Sequence, residues 1–196
     1  LVLDAAMPPG GGAGASTASL LAAAATMAPG LPAVRLARAC LAAEGASDPL
    51  MMDDPAARLW APREARSLAF LPPLPRIEAV GGFAGRGLPT DPADTAFADI
   101  ADLAEAWAPA AARGDLAALA RLASASARRN RALRGGGSLD ALETLARETG
   151  ALGIAVAHTG AAEALLFAPG QGSPQHALHG LRALGHRHCL RFASPD

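Results

Sequence analysis

A glycine-rich segment near the start of the chain constrains its fold more than any other feature. Residues 1–5 predict a short apolar strand, and residues 16–28 predict an Ala-rich helix. Between them lies the run Pro8-Pro9-Gly10-Gly11-Gly12-Ala13-Gly14-Ala15. A strand, a glycine loop and a helix start in this order leave backbone N–H groups free to face an anion such as phosphate. A flexible, low-complexity linker is the alternative interpretation, and the pattern alone does not separate the two.

Composition excludes several kinds of phosphate and imine chemistry. All 17 Lys+Arg positions are arginine. A Walker-type phosphate loop, a Schiff-base lysine and a protein-kinase ATP lysine therefore cannot form. The formal net charge of -1 argues against nucleic acid as a partner. The two cysteines, Cys40 and Cys189, are too few for a disulfide scaffold and favour the cytoplasm, and residues 20–31 are too short to cross a membrane.

Two carboxylates follow the second predicted helix, which spans residues 32–43. Glu44 ends this helix and Asp48 lies four residues further on, so the two side chains could meet at one loop. Mg²⁺ on a phosphate chain needs such ligands, and a second acid could orient or deprotonate a hydroxyl group. The alternative, more common in general, is a solvated helix-end charge at Glu44 and an Asx turn at Asp48.

Two other segments carry candidate ligands. His158-Thr159-Gly160 lies between two predicted strands, residues 153–157 and 164–167, where it either contacts a ligand or forms a plain hairpin turn. Imidazole and thiolate groups near the C-terminus suggest a transition metal, but their spacing matches no standard zinc pattern. These residues are His176, His179, His186, His188 and Cys189.

The remaining pattern predicts an α+β chain with a boundary at residues 85–92. Residues 45–62 are predicted to be loop-rich, and residues 76–80 are predicted to be a strand that Gly81-Gly82 ends. Further helices are predicted over residues 95–112, 115–133, 138–149 and 173–184, followed by a strand over residues 188–192. Trp60 and Trp107 are predicted to be buried anchors in a chain with few aromatic residues.

Three segments, taken in order, resemble the GHMP kinase superfamily, and most closely the L-threonine kinases of cobalamin side-chain synthesis. The run from Pro8 to Ser19 follows in register their loop Pro-x-Gly-x-Gly-x-x-Ser-Ser-Thr-Ala-Asp. Glu44-Gly45-Ala46-Ser47-Asp48 resembles their Glu-centred segment after the second helix. Residues 150–161 resemble the late motif Gly-Ala-x-Gly-x-x-x-Ala-His-Ser-Gly-Thr.

The resemblance implies an α+β, two-lobed GHMP-kinase-like fold. Residues 1–84 would form a partial N-terminal ATP-binding lobe, without the strands that precede the loop in the superfamily, and residues 85–196 a ferredoxin-like C-terminal lobe. The implied activity is ATP-dependent transfer of the γ-phosphoryl group to a small-molecule alcohol, L-threonine or a related amino alcohol. The oligomeric state stays open, a homodimer included.

The resemblance also assigns roles to individual residues. Ser16 and Glu44 would hold Mg²⁺, and Asp48 would activate the acceptor hydroxyl. The substrate side would include Asp94, in a segment similar to Val-Asp-Thr-x-x-Phe, and also His158, Thr159 and Gly160. The ATP phosphates would lie against Pro9, Gly10, Gly11, Gly12, Ala13, Gly14, Ala15, Ser16 and Thr17.

Three positions depart from the threonine-kinase pattern. Gly11 stands in place of a lysine, Ala15 in place of the first paired serine, and Ser19 in place of an aspartate. These departures favour a second hypothesis, a non-catalytic member of the fold that binds a nucleotide or a metabolite. A third hypothesis is a structural or partner-binding α+β domain.

Overall fold

The computed structural model describes residues 2, 4, 8, 10–86, 91, 93–135, 137–158 and 161–194. The helices in these ranges are α1 (Ala15–Met27), α2 (Ala33–Glu44), α3 (Ala101–Ala112), α4 (Leu116–Arg134), α5 (Asp140–Thr149) and α6 (Pro174–Ala183). The strands there are β1 (Arg58–Ala61), β2 (Arg66–Phe70), β3 (Glu78–Phe83), β4 (Gly153–Val156), β5 (Ala162–Phe167) and β6 (Arg187–Ala193).

The C-terminal half has the predicted ferredoxin-like topology. Four antiparallel strands form one sheet in the order β4-β5-β3-β6. In chain order, β3 leads through three helices to the hairpin β4-β5, and α6 then connects to β6. This is the βαββαβ arrangement, with the first and third strands in the centre of the sheet.

The central strand β3 corrects the prediction that Gly81-Gly82 ends the strand. The strand continues through both glycines to Phe83, and all six of its residues are buried. A Cβ atom at Gly82 would lie 2.7 Å from the Cys189 sulfur, and one at Gly81 would lie 3.1 Å from the Glu163 carbonyl oxygen. A side chain at either position would therefore force neighbouring chain segments to shift, most of all at Gly82.

The position of β3 also bears on the predicted division of the chain. The first strand of the ferredoxin-like unit, residues 78–83, lies on the N-terminal side of the boundary predicted at residues 85–92. Composition placed that boundary at the Gly- and Pro-rich stretch, whereas backbone pairing extends the C-terminal sheet upstream of it. The division into residues 1–84 and 85–196 itself stays a prediction.

The main core lies between this sheet and the helices α4, α5 and α6. Its largest fully buried side chains include Phe167, Leu165, Ile154 and Leu181. A separate apolar cluster joins α3 to α4 around Leu119, and the half-buried Trp107 packs against it.

Helix α3 begins at Ala101, six residues later than predicted. Side chains hold residues 94–99 in a non-helical path, because the carboxylates of Asp94 and Asp99 accept the N–H groups of Ala96 and Ala101.

The N-terminal half contains α1, α2 and the two-stranded antiparallel sheet β1-β2. Helix α2 follows Pro32 and ends at Gly45, whose φ of 72° is in the left-handed region that favours glycine. Strand β1 lies inside residues 45–62, which the sequence predicted to be loop-rich. Of the strand predicted over residues 1–5, only Val2 and Asp4 are described, and neither is in a strand. No described helix has the length and apolar character needed to span a membrane.

The crossing of β4 over α4 provides a test of the core. A Cβ atom at Gly153 would lie 2.4 Å from the Ala120 carbonyl oxygen and 2.6 Å from the Ser124 hydroxyl oxygen. We expect Gly153→Ala to lower the free energy of unfolding by about 1–3 kcal/mol, because helix and strand must separate. Gly137→Ala is the matched control, since no atom lies within 4 Å of the added Cβ. Urea denaturation would measure both, and equal stability of the two variants would contradict the packing described.

Candidate active site

A cavity of about 530 Å³ lies where the N-terminal elements meet the ferredoxin-like unit. Its wall comes from the glycine segment, the residues after α2, the β1-β2 hairpin, Phe97 and His158. Most of the predicted site residues line this cavity together. They are Gly10, Gly11, Gly12, Gly14, Ala15, Ser16, Thr17, Glu44, Asp48 and His158.

Two described residues of the predicted site do not belong to this lining. Ala13 is exposed beside the cavity, and Asp94 lies behind the wall, where it pairs with Arg134. Pro9, Thr159 and Gly160 were also predicted to contact ligand, but they lie outside the described residues.

The glycine segment leads directly into α1, and the first residues of this helix line the cavity. Gly10, Gly12 and Gly14 have φ values of 71°, 79° and 75°. Gly14 precedes the helix, and no side chain caps it. The first N–H groups of α1 therefore lack intrahelical partners, and the residues that carry them, Ala15 to Thr17, line the cavity. This is the arrangement that favours an anion at a helix N-terminus.

Gly11 lines the cavity and also packs against the sheet. It is buried, and a Cβ atom there would lie 2.3 Å from the Phe83 ring. Its carbonyl oxygen accepts the N–H of Ala162 at 2.9 Å, at the start of β5. Close packing against the sheet thus requires glycine at this position, and a lysine, as in the threonine kinases, would not fit without displacing Phe83.

Ser16 and Glu44 meet, as the predicted metal pair requires. The Ser16 hydroxyl donates a hydrogen bond to the Glu44 carboxylate. The left-handed Gly45 ends α2 directly after Glu44, so that this carboxylate faces the start of α1 rather than only solvent. Among the described residues, no group of three or more His, Cys, Asp or Glu side chains could hold a metal ion. A metal bound here would depend on ligand oxygens as well.

Asp48 lies half-buried beside the glycine segment. A Cβ atom at Gly14 would be 3.3 Å from a carboxylate oxygen of Asp48. The Asp48 N–H donates to the hydroxyl of the buried Thr17 at 3.3 Å, which joins the segment after α2 to the first turn of α1. Burial raises the pKa of the Asp48 carboxyl, and the Thr17 hydroxyl partly offsets this by hydrogen bonding to the charged form.

Arg134, at the end of α4, connects two of the predicted site residues, Asp94 and His158. Its guanidinium donates to the Asp94 carboxylate and to the His158 ring, each at 2.7 Å, and to the Ala96 carbonyl at 2.8 Å. The hydrogen bond and charge of Arg134 hold the pKa of Asp94 below its usual range. Partial burial, followed by the charge of Arg134, lowers the pKa of His158. His158 is therefore a neutral acceptor at neutral pH.

Three further residues of the wall were not among the predicted site residues. Arg63 donates to the carbonyl oxygens of Gly45 and Asp91 at 3.1 and 2.7 Å, and the Phe97 ring stacks on His158 with centroids 5.1 Å apart. Trp60, predicted to be a buried anchor, is instead half-buried in the cavity wall, where its indole N–H donates to Ser47. Their positions depend on contacts across 13 or more residues, which local patterns do not reveal.

The C-terminal imidazoles form contacts other than a metal site. His186 is buried, and its ring contacts the Glu163 carboxylate at 2.9 Å and the Leu181 carbonyl oxygen at 3.1 Å. Arg131 also donates to Glu163 at 2.6 Å. This network joins α4, β5 and the start of β6 near one end of the core.

Comparison with known proteins identifies the fold. No protein-family model and no curated protein sequence match the chain. It is similar to L. major mevalonate kinase solved in complex with R-mevalonate, with 15% identity and a TM-score of 0.60 over 93% of this chain and 66% of that one. A homoserine kinase from Cytophaga hutchinsonii gives 14% identity and a TM-score of 0.54 over 96% of this chain and 66% of that one.

Both neighbours are kinases of the GHMP superfamily. The chain therefore has a GHMP-kinase-like α+β fold, which confirms the predicted fold class. It spans 66% of the length of each neighbour, which is consistent with an incomplete two-lobed fold. At this identity the likeness concerns the fold alone.

The contacts of His158 predict that its pKa shifts in opposite directions in two variants. The charge of Arg134 lowers the pKa of His158, and that of Asp94 raises it. We therefore expect Arg134→Met to raise the pKa of His158 and Asp94→Asn to lower it. NMR titration of the imidazole would measure both shifts. Arg128→Met is the control, because Arg128 is also on α4 but pairs with Glu143. Shifts of the same sign in the first two variants would contradict this geometry.

Proposed function

We propose that this protein is an ATP-dependent kinase that transfers the γ-phosphoryl group to the hydroxyl of a small-molecule alcohol. The observation that carries the proposal is the hydrogen-bonded pair Ser16 and Glu44 at the uncapped start of α1, in one cavity with Asp48. The GHMP-kinase-like fold supports it, because both structural neighbours named above are small-molecule kinases.

The residues present fit Mg-ATP. Free N–H groups at the start of α1 suit phosphate oxygens, and the Ser16 hydroxyl and Glu44 carboxylate are the oxygen ligands that Mg²⁺ prefers. Two protein ligands are enough, since Mg²⁺ commonly retains waters and phosphate oxygens in its shell. When bound, Mg²⁺ neutralises charge on the phosphate chain. The glycine segment supplies hydrogen-bond donors that are already oriented before ligand arrives.

Asp48 is the residue we assign to the acceptor hydroxyl. It lines the same cavity as Ser16 and Glu44, and burial raises its pKa. A carboxylate with a raised pKa is a stronger base than one in water, so it can accept the hydroxyl proton as phosphoryl transfer proceeds. His158 and Phe97 would lie beside the acceptor.

The finer assignment is to a cytoplasmic kinase of L-threonine or a related amino alcohol, as in cobalamin side-chain synthesis. The order of the three motifs supports it. The departures at Gly11 and Ser19 point the other way: Gly11 has no room for the lysine side chain, and the Ser19 hydroxyl donates to the Ala15 carbonyl within the helix. These two contacts favour the second candidate, a protein of this fold that binds a nucleotide or metabolite without catalysis.

Phosphorus NMR of Mg-ATP with an acceptor panel tests the proposal. The panel contains threonine, homoserine, ethanolamine and mevalonate. We expect one new phosphomonoester signal, and a loss of turnover of at least about a hundredfold in Ser16→Ala and Glu44→Gln, because phosphate charge is no longer neutralised. Ser19→Ala is the matched control on the same helix, since its hydroxyl bonds within α1.

Two other results would decide against a kinase. Shifted ATP resonances without product would select the nucleotide-binding candidate. Unperturbed ATP resonances would exclude both the kinase and the nucleotide-binding protein.

The pH dependence of turnover tests the role of Asp48. The active form of a base is the ionised one, so kcat/KM should rise with pH through a midpoint above the ordinary aspartate value of about 3.9. Thr17→Val removes the hydrogen bond that lowers the pKa of Asp48, and should move this limb to higher pH. The limb should persist in His158→Gln, which separates it from titration of the imidazole. A midpoint unchanged by Thr17→Val would remove Asp48 from this role.

A further inference from the structure

Helix α4 carries five arginines and no acidic residue, and four of the five pair with a carboxylate from another segment. These pairs are Arg128–Glu143, Arg129–Asp102, Arg131–Glu163 and Arg134–Asp94. Arg121 is the exception, because it forms no hydrogen bond or ion pair with the described part of the chain. Within α4, the positions three and four residues from Arg121 hold only alanine and serine. Arg121 is therefore the one arginine of this helix whose donors are all open to a ligand.

Arg121 lines a groove of about 370 Å³ between α4, α5 and β4. Arg128 and Arg147 also line it, and all three arginines are exposed, so a solute can reach them directly. Glu143 is the one acid among the described lining residues, and three arginines with one glutamate leave a net charge of two positive units. The groove shares no described lining residue with the candidate active site. It is therefore a second place at which the chain attracts an anion.

The guanidinium groups of the groove keep donors for a ligand. Arg128 binds Glu143 through Nε at 2.7 Å, and Arg147 binds the Thr144 hydroxyl through one terminal nitrogen at 2.8 Å. A guanidinium has five N–H donors, so both side chains retain further donors, and Arg121 retains all of its own. Like charges in one groove repel each other, and a bound anion would remove that repulsion.

The floor of the groove is apolar. It includes the buried side chains of Ala146 and Ile154. The buried Ser124 hydroxyl offers no free donor, because it donates to the Ala120 carbonyl oxygen at 2.8 Å and accepts the N–H of Ile154 at 2.9 Å. The charged head of a ligand would thus lie among the arginines, and its carbon atoms would lie against the floor.

We propose that this groove binds the phosphate group of a small phosphorylated ligand, outside the candidate active site. A phosphomonoester carries about 1.5 to 2 negative charges at neutral pH, which matches the net charge of the groove, and its three terminal oxygens accept hydrogen bonds from several guanidinium groups at once. A carboxylate offers a single charge and two oxygens. The volume of the groove suits a small molecule. Binding here does not depend on the proposed kinase activity.

NMR titration of the isotope-labelled chain tests the proposal. The amide signals of Ala151, Gly153 and Ile154 report on the groove, and those of Gly12 and Gly14 report on the candidate active site. The probes are glycerol 3-phosphate, inorganic phosphate and, as a carboxylate, acetate. The ionic strength is about 0.15 M, at which isolated surface charges are largely screened. We expect both phosphates, but not acetate, to shift the groove signals along a saturating curve.

Arg121→Gln should weaken phosphate binding in the groove about tenfold or more, as expected for the loss of a charged hydrogen bond. The variant should fold normally, because Arg121 has no partner to lose within the described residues. Arg147→Gln should also weaken binding. Arg129→Gln is the matched control, since it removes the same charge from the same helix, but Arg129 pairs with Asp102 and does not line the groove.

Three results would overturn the inference. They are no saturating shift of the groove signals with either phosphate, an equal affinity for acetate, or an unchanged affinity in Arg121→Gln. The first two use the unaltered chain, so misfolding of a variant cannot hide them. Shifts confined to Gly12 and Gly14 would place phosphate only at the start of α1 and would reject the groove. Binding of inorganic phosphate without glycerol 3-phosphate would reject a phosphorylated ligand and leave a site for the free ion.

Discussion

The packing of Gly11 against Phe83 is the contact on which the rest of the site depends. It presses the glycine segment onto the end of the central strand β3, and the Gly11 carbonyl accepts a hydrogen bond from Ala162 at the start of β5. Helix α1 begins four residues later, so this contact determines where its free N–H groups lie relative to the sheet. The start of α1 is held at this end of the sheet. The residues after α2 and the β1-β2 hairpin enclose the space beside it, which is the cavity.

Arginine provides the long-range connections of this site, in a chain that has no lysine. Arg134 links the end of α4 to Asp94 and His158, and Arg63 links the hairpin to Gly45 and Asp91. Both bind several acceptors through one planar group, which a lysine ammonium does with less directional control. They hold residues 91–97 against the cavity, which explains why α3 starts late and why Phe97 reaches His158.

Local patterns predicted most helices and the late strands. Helix α4 follows Asp115, whose carboxylate accepts the N–H of Ala118, and α2 stops at Gly45, as capping preferences indicate. The same reasoning failed at Gly81-Gly82 and at residues 95–100. At Gly81-Gly82 distant residues decide the outcome, because β5 and β6 approach the strand closely. At residues 95–100 the carboxylates of Asp94 and Asp99 bind nearby N–H groups, and arginine side chains of α4 also bind the carbonyl oxygens of Ala96 and Asp99. Hydrophobic periodicity contains no information on such contacts.

The sequence by itself determined the order of the elements, the α+β class and the candidate residues Ser16, Glu44 and Asp48, because turn, cap and motif signals act over a few residues. Tertiary structure alone decided that Ser16 meets Glu44 across 28 residues, that Gly11 packs against Phe83 of the sheet, and that Arg63 and Trp60 enter the wall. The physical reason is that side-chain contacts between distant segments depend on how layers pack. A local pattern restricts backbone conformation but does not specify which surfaces meet.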